Sequence, residues 1–209
     1  PQLFQDIVDN NLFLSLRGST GLNWKVVNML NSTYIISPGK LDNPYLNLMA
    51  EDKNSRLVLY KNDKYLPRAY FVQGVKQFGN EKEIVEFMNT NDFQPSILAL
   101  TSENIDIQSG YDTSATSEIT TYTPNRVELK VQADSKAFMV LADAYYPKGW
   151  KAEIDGERTH IYQVNHMLRG IIVSPGNHTI TFDFYPQSYK SAKIISYVSV
   201  YAVWLILVL

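Results

Sequence analysis

Between Asn125 and Gln132 the chain alternates strictly, with Val127, Leu129 and Val131 on one side and Arg126, Glu128, Lys130 and Gln132 on the other. Successive side chains of a strand point to opposite faces, so this pattern predicts a strand with one buried and one wet face. Thr179–Phe184 repeats it, with Ile180, Phe182 and Phe184 inward and Thr179, Thr181 and Asp183 outward. Ala137–Leu141 is apolar throughout, as suits a central strand. Trp150–Ile154, Thr159–Val164 and Leu168–Val173 complete the series. Asp155-Gly156 separates two of these strands with residues that accept positive φ, and Ser174-Pro-Gly-Asn177 is a second turn. About seven short strands at near-regular spacing predict an antiparallel β-sandwich over 119–187.

Upstream the pattern is different. Residues 1–31 carry apolar positions at helical spacing, Phe4, Ile7, Val8 and Leu12, then Trp24, Val27, Met29 and Leu30. Gly18-Ser-Thr-Gly21 divides them, and the pair predicts a helical cover over a sheet. Strands follow at Ser32–Ile36, Arg56–Tyr60, Arg68–Val72 and Ile97–Leu100. A helix is expected over Asn80–Asn89, where Asn80 caps the start and Glu81 and Glu83 suit its positive end. Residues 1–101 thus form a helical cover and a small mixed α+β layer, and the protein is mainly β. The polar stretch 102–118 is expected to be a linker or a solvated loop. Its acidic groups match no calcium-loop spacing.

The end of the chain is more apolar. Ile194–Leu209 is sixteen residues without a charge. A spanning helix needs about 20 apolar residues, so 190–209 is expected to be the start of a truncated transmembrane helix. A buried terminal strand or helix is the alternative. Likewise, Pro1-Gln-Leu-Phe4 is expected to be a cut inside a longer polypeptide.

Charge and composition narrow the function classes. The net charge is −2 and the pI near 5.9, which gives no basic field for nucleic acid. Cysteine is absent, which excludes thiolate metal sites and disulfides. The histidines number three, and His166 and His178 have no carboxylate or thiol at ligand spacing, so neither metal nor cofactor is expected.

The candidate chemistry lies in the loop before Trp150. Tyr145, Tyr146 and Trp150 bracket Pro147-Lys-Gly149 and offer aromatic faces to the apolar side of a pyranose. Asp143, Asn165 and Arg169 are candidates to bond its hydroxyls. Two readings stand side by side: a glycan platform, or a Trp150 that plugs the sandwich with the tyrosines capping its end. Asp143 and Arg169 fall on neighbouring strands, and an ion pair between them is expected. No catalytic residue is assigned, because Asp155 serves the turn, Glu153 shares its wet face, and no nucleophile elbow is present.

The phrases Leu141-Ala-Asp-Ala-Tyr-Tyr-Pro-Lys-Gly-Trp-Lys-Ala-Glu-Ile-Asp-Gly156, Asn165-His-Met-Leu-Arg-Gly170 and Val173-Ser-Pro-Gly-Asn-His-Thr179 resemble the C-terminal region of the bacterial membrane protein YfhO family. Upstream, Met29-Leu-Asn-Ser-Thr-Tyr-Ile-Ile36 and Leu66-Pro-Arg-Ala-Tyr-Phe71 fit the same pattern. The resemblance implies a polytopic membrane protein similar to GT-C glycosyltransferases, which move sugars from lipid-linked donors to cell-envelope polymers. It implies an extracytoplasmic domain at the bacterial cytoplasmic membrane, with membrane, glycan or lipid-linked sugar as partners. The GT-C catalytic acid lies in an early loop outside this segment, so no catalytic residue carries over. Lys190 and Lys193 alone favour a cytoplasmic placement of that flank.

Overall fold

The structure, a computed structural model, describes residues 23–52, 54–105 and 110–208. The apolar positions Phe4, Ile7, Val8 and Leu12 lie outside the described residues. The first described element is α1 (Trp24–Met29), started by Asn23, whose side chain accepts from Lys25 N and Val26 N.

Two antiparallel sheets form the sandwich. One has five strands in the order β11 (Glu157–Thr159), β10 (Trp150–Ile154), β14 (Gly176–Phe184), β8 (Arg126–Ala133), β7 (Thr116–Thr123). The other has four, in the order β12 (Tyr162–Val164), β13 (Leu168–Val173), β9 (Ala137–Leu141), β4 (Ala69–Val72). Val127, Leu129 and Val131 from the first meet Met139, Leu141, Ile171 and Val173 from the second in a common core. The alternation read from the sequence is this inner face.

The four-stranded sheet is buried on its other side too. Tyr70 and Val72 of β4, Phe138 and Val140 of β9 and Leu168 of β13 pack against a further layer. That layer contains α1, the parallel pair β5 (Gly74–Gln77) and β6 (Leu98–Thr101), and α2 (Glu81–Met88). Hence every residue of β9 is buried, as its unbroken apolar run requires. The upstream and downstream segments meet in one sheet, because β4 pairs with β9 from Ala69 opposite Leu141 to Val72 opposite Phe138.

A separate three-stranded sheet joins β1 (Tyr34–Ser37), β3 (Leu57–Asn62) and β2 (Leu46–Asp52). β2 escapes a pattern search because most of its residues are exposed and a bulge between Leu48 and Ala50 breaks its register.

Other boundaries shift for physical reasons. The expected strand Thr159–Val164 is two strands, since the chain passes at 160–161 from the five-stranded to the four-stranded sheet. β7 reaches back into the stretch expected as a linker. Nor is the rest of that stretch merely solvated. Ile105 and Tyr111 are buried, and Asp112 accepts from Ser114, Asp134 N and Ser135 N, bonds that pull its carboxyl down to about 2. At the C-terminal end α3 (Gln187–Val208) is helical, in place of the alternative strand. Among the described residues no helix is long and apolar enough to cross a membrane.

At the end of the sandwich away from the aromatic loop, two turns are clamped together. Asp155 and Gly156 both take positive φ, at 54° and 87°, as the hairpin demands. Asp155 then accepts from Thr179 N at 2.8 Å and meets His178 Nδ1 at 2.6 Å. That bond raises the His178 pKa and lowers that of Asp155.

Two expectations follow. Gly170 has no room for a side chain, because a Cβ there would lie 2.6 Å from Phe138 Cζ and 2.9 Å from Val164 Cγ1. Gly170→Ala should therefore lower the unfolding free energy by about 1–3 kcal/mol, read as a lower urea midpoint at unchanged slope. For the clamp, the raised folded pKa of His178 makes its contribution full below the unfolded value of 6.5 and lost as pH rises through the folded value. The Asp155 contribution is present above its unfolded 3.8 and lost as pH falls through the lowered value. His178→Gln should flatten the loss of stability as pH rises above 6.5 in denaturation curves taken across pH.

Candidate functional site

The aromatic loop is the crossover between the two sandwich sheets. It leaves β9 at Leu141 and enters β10 at Trp150. Backbone bonds hold it along its length: Ala142 N to Arg68 O at 2.7 Å, Tyr145 N to Met167 O at 2.6 Å, and Tyr185 N to Gly149 O at 2.9 Å. Gly149 lies flat against Phe184, where a Cβ would come within 2.1 Å of the ring. Only glycine lets the turn sit this close.

Tyr145, Tyr146 and Trp150 come together as one wall of a hollow of about 220 Å³. Lys151, Arg158 and His160 line it as well. These three polar residues were not legible as site residues. The signal was the Asp155-Gly156 turn, since pairing Ala152 with Thr159 returns the chain beside Trp150. The indole of Trp150 is half-buried and tilted against Phe184 at 5.1 Å.

Behind the wall stands Arg169, only 2% exposed. Its guanidinium stacks 3.8 Å from the Trp150 ring, and Nε donates to Ala144 O at 3.0 Å. Burial pushes its pKa down to about 10, with the Asp143 charge opposing the fall. The expected ion pair between Asp143 and Arg169 is not formed. Asp143 Oδ1 instead accepts from Arg68 at 2.7 Å and from the Tyr122 hydroxyl at 3.2 Å. Arg68 comes from the residue before β4, so the addition of that strand to the sheet decides Asp143's partner. Burial, and then the Asp143 charge, raise the Tyr122 pKa.

Asn165 belongs elsewhere. It is fully buried with a positive φ of 49°, and its side chain accepts from Leu100 N while its own N–H donates to Leu100 O. It stitches the turn after β12 to β6 and does not reach the hollow. Its neighbour His166 faces Glu81 at 2.8 Å. Burial opposes the charge on Glu81, but bonds from His166 and Ser102 outweigh it and lower the pKa. Gln163 N donates to Glu103 at 2.6 Å, and Glu103 meets His160 at 2.6 Å. Each histidine thus has a carboxylate partner distant in sequence, which spacing alone did not reveal. Among the described residues no group of three or more such side chains is placed to hold a metal ion.

A second hollow, of about 410 Å³, lies near the clamped turns and is lined by polar residues such as Glu118, Lys130 and His178. It has no aromatic wall.

Comparison with known families settles the resemblance. The family described as bacterial membrane protein YfhO matches residues 88–196, just over half of the chain. This chain belongs to the YfhO family. None of the curated proteins and none of the solved structures matches. The YfhO match takes in the aromatic loop, the hollow and every sandwich strand except β4.

The geometry separates Asn165 from the wall of the hollow, and a substitution tests that separation. Asn165→Ala should leave Leu100 N without its acceptor and cost about 1–3 kcal/mol of folding stability. In the folded fraction, the near-UV circular dichroism of the tryptophans should stay unchanged.

Proposed function

We propose that this chain is an extracytoplasmic, non-catalytic domain of a YfhO-family membrane protein. It holds a sugar unit of a glycan against Trp150 while the parent protein transfers sugar from a lipid-linked donor to a cell-envelope polymer. The observation that carries this reading is the hollow itself. Tyr145, Tyr146 and Trp150 line a space of about 220 Å³, smaller than a drug-sized pocket and so suited to one ring rather than a long ligand. Lys151, Arg158 and His160 supply donors toward hydroxyl groups around it. Such an arrangement binds and orients. The transfer step is assigned to the membrane part of a GT-C-like parent, in keeping with the sequence resemblance.

One observation favours a second reading, a purely structural assembly domain. Trp150 packs between Arg169 and Phe184 and so closes the mouth of the sandwich whether or not a sugar binds. A membrane-anchored carbohydrate-binding module is the third possibility, and it is distinguished by whether membrane helices precede this segment in the gene.

Titration of the chain with cell-wall oligosaccharides, followed by amide shifts in NMR, tests the proposal. Trp150→Phe should weaken binding about threefold to tenfold, the equivalent of about 0.5–1.5 kcal/mol for ring stacking, and remain folded. Tyr146→Ala, at a ring 49% exposed and 6.1 Å from Phe184, should weaken it and cost no more than about 0.5–1.5 kcal/mol of stability. Absence of any glycan binding at millimolar concentration would leave the structural reading in place.

A further inference from the structure

The end of the sandwich that carries the aromatic loop is also where the chain leaves for α3. β14 stops at Phe184, Tyr185 N bonds Gly149 O, and the helix begins at Gln187. Around this exit three tyrosines are open to solvent: Tyr146 at 49%, Tyr185 at 45% and Tyr189 at 56% exposure. Tyr185 and Tyr189 meet edge to face at 6.0 Å, and Lys148 is exposed on the neighbouring turn. Along α3 the apolar surface continues without cover from Ile194, Ile195, Val198, Tyr201 and Trp204. Lys193 lies 5.8 Å from the Tyr197 ring.

The opposite end is chemically different. Its turns are built from Asp134 and Ser135, Asp155 and Gly156, and Pro175 and Gly176, without a large aromatic side chain. Tyrosine and tryptophan favour the boundary between lipid and water, because the ring is apolar and its polar tip stays wet. Lysine suits the same layer, with its stem against apolar surface and its charge in water.

We propose that the aromatic-loop end of the sandwich rests on a lipid surface. Tyr146, Tyr185 and Tyr189 lie in the headgroup layer, and the uncovered apolar side chains of α3 contact the lipid. Lipid is the occupant because the tyrosine cluster runs directly into that uncovered helix, and because the chain belongs to a membrane-protein family. Contact of this kind does not require α3 to span the bilayer. Tyr146 also lines the hollow, but Tyr185 and Tyr189 do not, so labels at 185 and 189 test this surface apart from the sugar reading.

The chain has no cysteine, so a single introduced thiol can be labelled without a background. A fluorophore on Tyr185→Cys, Tyr189→Cys, Tyr201→Cys, Ser135→Cys or Asn177→Cys is exposed to phosphatidylethanolamine–phosphatidylglycerol vesicles carrying nitroxide headgroups. Quenching should be several-fold stronger at 185, 189 and 201 than at 135 and 177. Replacing Tyr185 and Tyr189 together by Ser should weaken partitioning onto the vesicles several-fold, with the far-UV circular dichroism unchanged. Equal quenching at the two ends, or no partitioning at all, overturns the proposal. So does a concentration-dependent dimer in which the labels at 185 and 189 are shielded from the nitroxides, since a second copy then covers the surface. Should the double variant fail to fold, the labelled single variants still decide the matter, each altering one exposed side chain.

Discussion

The structure depends on a sheet that has no wet side. β9 contributes Ala137, Met139 and Leu141 to one core and Phe138 and Val140 to the other. Phe138 lies over Gly170 of the adjacent strand and touches Tyr111 and Tyr162 at ring distances of 5.7 and 6.0 Å. Interiors pack as densely as organic crystals, so a sheet clasped from both sides tolerates little change in volume on either face. The five-stranded sheet and the α+β layer do not need to touch each other; each is placed by its own face of this shared sheet.

The same arrangement explains where polar groups were admitted. Burying an amide or a charge is costly unless it is bonded, and three of the buried polar residues, Asn165, His166 and Arg169, sit where separate elements meet. Asn165 joins β12 to β6 through Leu100, and His166 joins the β12–β13 turn to α2 through Glu81. Arg169 occupies the open mouth of the sandwich, where the Trp150 face and the Ala144 carbonyl receive its cation. The wall of the hollow is then the outer surface of a packed plug. The indole of Trp150 thus belongs both to the packing of that end and to the lining of the hollow.

The sandwich was legible because its strands obey a period of two and its turns use Asp-Gly and Pro-Gly. Ala137–Leu141, Trp150–Ile154 and Leu168–Val173 were found to the residue, and Asn80 as the cap of α2 follows from a local bond to Glu83. The losses have a common cause. β2 has little to bury, so no periodicity marks it. The partner of Asp143 depends on β4, far upstream, and the carboxylate partners of His160 and His166 are likewise distant in the chain. Contacts of that kind are written in topology. At the site, the aromatic wall was visible as composition, whereas Arg158 and His160 became neighbours of Trp150 only once the hairpin register was known.

The insertion of β4 beside β9 has a bearing on how the protein is made. β4 emerges from the ribosome well before its hydrogen-bonding partner, residues 69–72 against 138–141. It has no sheet to join until β9 is available, and β9 gains its other neighbour only with β13. Closing so long a loop is slow relative to local hairpins, and until then the apolar Ala-Tyr-Phe-Val of β4 is an unpaired strand. A fragment that starts at the family-matched boundary would lack β4 altogether and leave β9 as an open apolar edge. The upstream segment therefore supplies an edge strand that the downstream sheet needs, so a truncation that keeps the one must keep the other.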